Sequence, residues 1–199
     1  MRFGSLIKLK PEYEERYIIL HKHTFPGVLD RIHKSNIHNY SIFLKVGLLF
    51  SYFEYIGNDY EEDMARIGQD AVTRDWWKLT DPMQEPLETR KEGEGWASME
   101  EIFHWENKDM EKKEAQRRAC MASIGANSIN KKDFSIPPIQ ESISQNIQKC
   151  SIYHKDSSLF SYFEGVGQNI DEDIERFFGV LDVDRGLQWV SMKEVFHTD

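Results

Sequence analysis

With 199 residues, 40% hydrophobic and 13% aromatic, the chain can build one large domain or two small ones and is too apolar to be a disordered segment. Its net charge of −9, with 34 acidic residues against 25 dispersed basic ones, excludes nucleic acid and an anionic membrane surface as partners. No apolar run approaches the ~20 residues of a membrane-spanning helix, residues 1–10 lack a signal-peptide core, and Cys120 and Cys150 form no C-x-x-C pair; a cytoplasmic protein without a redox or zinc motif is therefore expected.

Residues 3–9 alternate weakly and predict a strand. Pro11 starts a helix whose first turn holds Glu12, Glu14 and Glu15, as the helix dipole favours. Pro26 breaks or kinks that helix, and Val28, Leu29 and Ile32 carry a further helical stretch to Lys34. Residues 36–45 and 48–56 read as a strand pair turning near Val46-Gly47. Residues 59–67 read as a charged amphipathic helix, and residues 99–105 as a strand. The order is β-α-β-β-α-β, the ferredoxin-like plan, over residues 1–105.

That plan recurs. Leu-Phe-Ser-Tyr-Phe-Glu stands at 49–54 and again at 159–164, and the block Trp96 to His104 reads against Trp189 to His197. The first pair is offset by 110 residues and the second by 93, so the chain is a tandem duplication whose second copy has lost 17 residues from the interval that holds Trp76-Trp77 in the first. In the second copy a strand is expected at 117–124, an irregular stretch at 125–135, a shortened helix at 137–147, a strand pair at 151–154 and 158–166, a helix at 170–178 and a closing strand at 188–197. Residues 106–114 read as a linker, which divides the chain into 1–105 and 106–199. A ferredoxin-like sheet leaves one face bare, so the two copies are expected to pack their sheets as an intrachain pseudo-dimeric α+β barrel. Further oligomerisation is left open.

Four features of the first copy are candidates for chemistry. Tyr17 and His21 are four apart on one helix and share a face. His38-Asn39-Tyr40 opens a strand, and Trp76-Trp77 follows the second helix. Singly, a Tyr/His pair is ordinarily a half-buried helix face and a strand Tyr ordinarily packing. Two adjacent indoles do not both enter one core easily, so one of them should line a surface or pocket. The second copy is an internal control. It retains Phe160, Phe163, Trp189 and Phe196 for Phe50, Phe53, Trp96 and Phe103, but Asn127, Lys131 and Cys150 stand at the offset positions of Tyr17, His21 and Tyr40. Residues kept only in the first copy point to one site there. His21-Lys22-His23 is a poor metal pair, because helix neighbours two apart diverge, and no metal is expected.

The ordered set Pro11, Glu15, Tyr17, His21 and Pro26, then His38-Asn39-Tyr40-Ser41-Ile42, then Arg74, Trp76-Trp77-Lys78, Asp81 and Met83 resembles the L-rhamnose mutarotase family across residues 1–105. That resemblance implies a ferredoxin-like fold in a dimeric α+β barrel. It implies cofactor-free interconversion of the α and β anomers of L-rhamnose or a related deoxy sugar, with His21 as proton donor and Tyr17, Tyr40, Trp76 and Trp77 on the sugar. The stretch after Trp77 is slightly shortened against the family pattern, and an insertion at about residues 90–95 precedes the last strand. Two other readings stay open: a catalytically silent sugar-binding or regulatory module, and a barrel monooxygenase or haem-type enzyme.

Overall fold

In the computed structural model, which describes residues 1–108, 110, 114–124, 146–180 and 187–199, the alternating N-terminal segment forms strand β1 (Arg2–Leu9). A single 3-10 turn at Pro11–Tyr13 leads into helix α1 (Glu14–Lys22), with Glu14 and Glu15 in its first turn and Lys22 in its last, both favourable to the dipole. Pro26 does end that helical run. It begins helix α2 (Pro26–Lys34), where its missing N–H costs nothing. Strands β2 (Ile37–Lys45) and β3 (Leu48–Tyr55) are joined through Val46 and Gly47, at φ 47° and 70°. Two positive φ values make the turn whose twist suits a hairpin.

Helix α3 (Tyr60–Gln69) is capped by Asp59, whose side chain accepts from the Glu62 N–H at 3.0 Å. Helix α4 (Ala71–Thr80) was not expected from the sequence. Asp70 caps it, accepting from the Thr73 N–H at 2.8 Å and the Thr73 hydroxyl at 2.9 Å. Its buried face is Thr73, Trp76 and Thr80, at helical spacing but with two threonines, so no apolar stripe announces it. Short strands β4 (Gln84–Glu85) and β5 (Ala97–Ser98) follow. Strand β6 (Glu100–Glu106) stands where the first copy's closing strand was expected, at 99–105, and the second copy supplies β7 (Gln116–Ser123), β8 (Ile147–Lys155), β9 (Ser158–Gly165), helix α5 (Ile170–Val180) and β10 (Val190–Thr198); β6 pairs with β8 and not with β1, whose edge takes β4 and β5. The irregular stretch expected at 125–135 lies outside the described residues, as does all but the end of the helix expected at 137–147. Its last residue, Ile147, is strand.

The class is α+β, and the chain forms two units: Met1–Met99 with Lys193–Asp199, and Glu100–Met192. In the first, all pairings are antiparallel and the order is β5–β1–β3–β2, with β4 also on β1 and residues 193–198 of β10 added beyond β2. In the second, residues 190–192 of β10 pair with β7, which is followed by β9, β8 and then β6. Both units thus have the 4-1-3-2 strand order of the ferredoxin-like plan, each with one more strand at its edge.

The two units repeat the same polar pins. Asn36 Nδ2 donates to Asp63 at 2.7 Å, and Asn146 Nδ2 to Asp173 at 2.8 Å. Tyr52 donates to Glu54 at 2.8 Å, and Tyr162 to Glu164 at 3.0 Å. His197 bonds Ser41, and His104 bonds Ser151, each at 2.9 Å. These recurring histidines hold strand to strand. Buried Asp63 also accepts from the Tyr55 hydroxyl at 2.8 Å; the Asn36 and Tyr55 bonds hold its carboxyl below the usual carboxylate range.

Candidate active site

Tyr40 enters the interior through an irregularity in β2. Pairing with β3 shifts between His38 and Ser41, and Asn39 takes left-handed backbone at φ 50°. A bulge of this kind re-aims the next side chain, and Asn tolerates the conformation. Asn39 Nδ2 donates to Glu54 at 3.1 Å, which anchors the bulge. A second shift in β10, between Glu194 and Phe196, leaves both Val195 and Phe196 buried against β2.

On α1 the four-residue spacing brings the rings of Tyr17 and His21 to 3.9 Å, nearly parallel at 29°. Tyr17 is fully buried. His21 Nδ1 lies 2.9 Å from the Tyr17 carbonyl oxygen. A carbonyl only accepts, so Nδ1 carries the proton and, in the neutral ring, Nε2 carries the lone pair. The His21 ring meets Trp76 edge-on at 5.2 Å and Phe196 edge-on at 5.8 Å; Phe196 also meets Tyr40 at 5.4 Å.

Tyr17, His21, Tyr40, Trp76 and Trp77 all line one cavity of about 690 Å³, within the ~300–1,000 Å³ of small-molecule sites. Trp76 is buried, while Trp77 is 37% exposed, at the rim. The same cavity takes in Thr80, Asp81 and Gln84 after α4, Trp96, and Pro86, Gly93 and Gly95. The segment before β5 therefore forms part of the wall. Its Glu94 carboxylate accepts from the Lys91 and Ser98 N–H groups at 3.0 and 3.2 Å, which folds it back onto the strand that follows.

Burial sets the protonation states. Desolvation pushes His21 down to about 4, only partly opposed by the bond to the Tyr17 carbonyl. The ring is therefore neutral at pH 7, and the two forms an ordinary histidine offers near neutrality are not both present. Desolvation pushes Tyr40 up to about 12 and Tyr17 well above the usual phenol value, so both hydroxyls stay protonated donors. Gln84 Nε2 donates to the Tyr17 hydroxyl oxygen at 3.3 Å, leaving the phenolic hydrogen for another acceptor. Burial also raises the Asp81 carboxyl.

Sequence reasoning missed Gln84, Asp81 and Phe196. Asp81 stands within the motif that carried the resemblance, and Gln84 lies just beyond it. Phe196 was read only as packing shared with Phe103. Nothing local in the sequence tells that residues 193–198 join the first unit.

A family model for L-rhamnose mutarotase matches residues 2–105, just over half of the chain. The chain belongs to the L-rhamnose mutarotase family. This is an isomerase family acting on sugars, and its pattern covers every residue singled out above except Phe196. An L-rhamnose mutarotase from Oceanobacillus iheyensis is 29% identical over 84 residues, 41% of this chain and 78% of that one. Another from Lactiplantibacillus plantarum is 26% identical over 106 residues, 52% of this chain and 97% of that one. Among solved structures, a putative monooxygenase from Lactobacillus acidophilus NCFM matches 99% of this chain and 95% of its own, with a TM-score of 0.50 at 9% identity. That last likeness is one of fold alone. Among the described residues no helix is long and apolar enough to cross a membrane.

Proposed function

We propose that this protein interconverts the α and β anomers of L-rhamnose or a related deoxy sugar, and that the site is the 690 Å³ cavity of the first unit. What carries the reading is the convergence of Tyr17, His21, Tyr40, Trp76 and Trp77 on one cavity in a chain of this family.

Mutarotation opens a hemiacetal and recloses it on the other face of C1. The neutral His21, with Nδ1–H held by the Tyr17 carbonyl, presents Nε2 as the basic nitrogen. Nε2 takes the proton of the O1 hydroxyl as the C1–O5 bond breaks and C1=O1 forms. The imidazolium hands that proton to O5 as O5 leaves C1, so the hydroxyl lost at C1 is regained on C5. Rotation about C1–C2 presents the other aldehyde face, and the steps run backwards. His21 is thus base first and donor to the ring oxygen second. Burial that disfavours imidazolium makes it a ready proton donor once charged. The Tyr17 and Tyr40 hydroxyls donate to sugar oxygens, and the indoles of Trp76 and Trp77 cover C–H faces. No net proton is gained or lost.

Saturation-transfer NMR on L-rhamnose at anomeric equilibrium tests the reading. Exchange between the two H1 resonances should speed up in proportion to protein concentration; unchanged exchange would overturn it.

A further inference from the structure

A second cavity, of about 240 Å³, adjoins the first and shares His21, Tyr40, Ile42, Trp76 and Trp77 with it. Beyond those shared side chains its wall includes Val28, Ile32, Ile37, Phe53, Met64 and Ile67. Its two threonines have committed hydroxyls: Thr24 Oγ1 donates to the His21 carbonyl at 3.0 Å and Thr73 Oγ1 to Asp70 at 2.9 Å. Tyr60 and the shared His21 and Tyr40 are its other polar side chains, and the rest of the wall is mainly hydrocarbon, which suits an apolar group. The larger cavity, by contrast, adds Asp81, Gln84 and Tyr17.

Resting on the reading above, we propose that the apolar cavity is a subsite for an alkyl arm on C5 of the sugar, and that the protein acts on pyranoses whose C5 substituent is longer than methyl. The ring oxygen has two carbon neighbours, C1 and C5. If His21 serves O5, then C5 lies one bond from the atom His21 reaches, and His21 stands on the wall shared by the two cavities. The C5 substituent is accordingly the apolar group brought to that wall, while the ring hydroxyls stay with the polar lining. A methyl group occupies a small part of about 240 Å³; the space takes several carbons.

At the 110-residue offset Ile67 corresponds to Phe177, a ring buried in the second unit's core.

The test compares anomeric exchange of L-rhamnose with that of its homologue carrying a propyl group on C5, for the wild-type protein and for Ile67→Phe. Ile67 lines the apolar cavity and not the larger one. Wild type should show a kcat/KM about tenfold higher on the propyl sugar than on L-rhamnose, the gain expected from burying two more methylenes. Ile67→Phe should bring that ratio to one or below. Acceleration of L-rhamnose with none of the propyl homologue would overturn the subsite and leave the mutarotase reading standing. Acceleration of neither sugar would overturn both. If Ile67→Phe does not fold, Met64→Phe serves the same purpose, and the wild-type ratio decides without either variant.

Discussion

Where Tyr40 faces a cavity in the first unit, the second carries Cys150, wholly buried in its core. Where Phe53 lines open space, its counterpart Phe163 meets the rings of Phe177 and Phe178 edge-on at 5.6 and 5.2 Å. Phe178 in turn stacks on Trp189 at 4.1 Å, and Trp105 lies 5.5 Å from Phe177. At the shared offset, Phe177 and Phe178 replace Ile67 and Gly68. Two units with the same strand order, the same Asn–Asp pin and the same His–Ser bond therefore treat their interiors oppositely. One keeps a polar-rimmed hollow beside a basic nitrogen, and among the described residues of the other, rings pack at the corresponding positions. The fold tolerates both because the recurring pins lie on the strands and helix ends, away from the hollow. Among the described residues the difference lies in a few side-chain volumes, Tyr40 against Cys150 and Ile67 against Phe177.

The largest effect is expected from His21→Ala, which removes the proton carrier and should cut the acceleration of L-rhamnose exchange by about 10²–10⁴-fold at unchanged melting temperature within a few degrees. Next come the two phenylalanines that the comparison sets against each other. Phe196→Ala and Phe178→Ala each delete a buried ring and should each cost about 3–5 kcal/mol in chemical denaturation. Only Phe196→Ala should also weaken turnover per folded molecule, because only Phe196 packs on His21 and Tyr40. Equal losses of turnover in both would erase the distinction between the units.

The pH dependence separates a buried imidazole from an ordinary one. Because neutral His21 is the working form and its pKa lies at about 4, turnover should hold from pH 8 to about pH 5 and fall below, with an apparent midpoint near 4 instead of ~6.5. Stability should move the other way round from a salt-bridged histidine. Between about pH 6.5 and 4 the unfolded chain binds a proton at His21 that the folded chain does not. Stability therefore falls as pH falls, by at most about 1.4 kcal/mol per pH unit, and His21→Gln should flatten that slope. The smallest effect is expected from Gln84→Ala, which removes the donor to the Tyr17 hydroxyl. A hydrogen bond worth about 0.5–1.5 kcal/mol predicts a two- to tenfold rise in KM with little change in kcat.

Much of the fold could be read in the chain because its signals are local. Alternation, Pro11 and Pro26 punctuation and the Val46-Gly47 turn all act within a few residues, and the duplicated hexapeptide became β3 and β9 in matching places. Helix α4 escaped because its buried face uses threonine hydroxyls at Thr73 and Thr80 where an apolar stripe would normally show. The grouping of Tyr17, His21, Tyr40 and the two tryptophans was legible from helix spacing, from the loss of those residues in the second copy and from the family pattern. Other features were not, Gln84 and Asp81 among them. Phe196 reaches the hollow through a strand pairing between residues about 150 apart, which no local pattern encodes. The acidity of His21 depends on how completely its surroundings exclude water, a property of the packed unit and not of the residue.

The most direct test is anomeric exchange on L-rhamnose measured side by side for His21→Ala and Phe178→Ala, each normalised to the folded fraction. The expected result is near-background exchange for His21→Ala and wild-type exchange for Phe178→Ala. Full activity in a folded His21→Ala protein would contradict the assignment of the chemistry to the first unit.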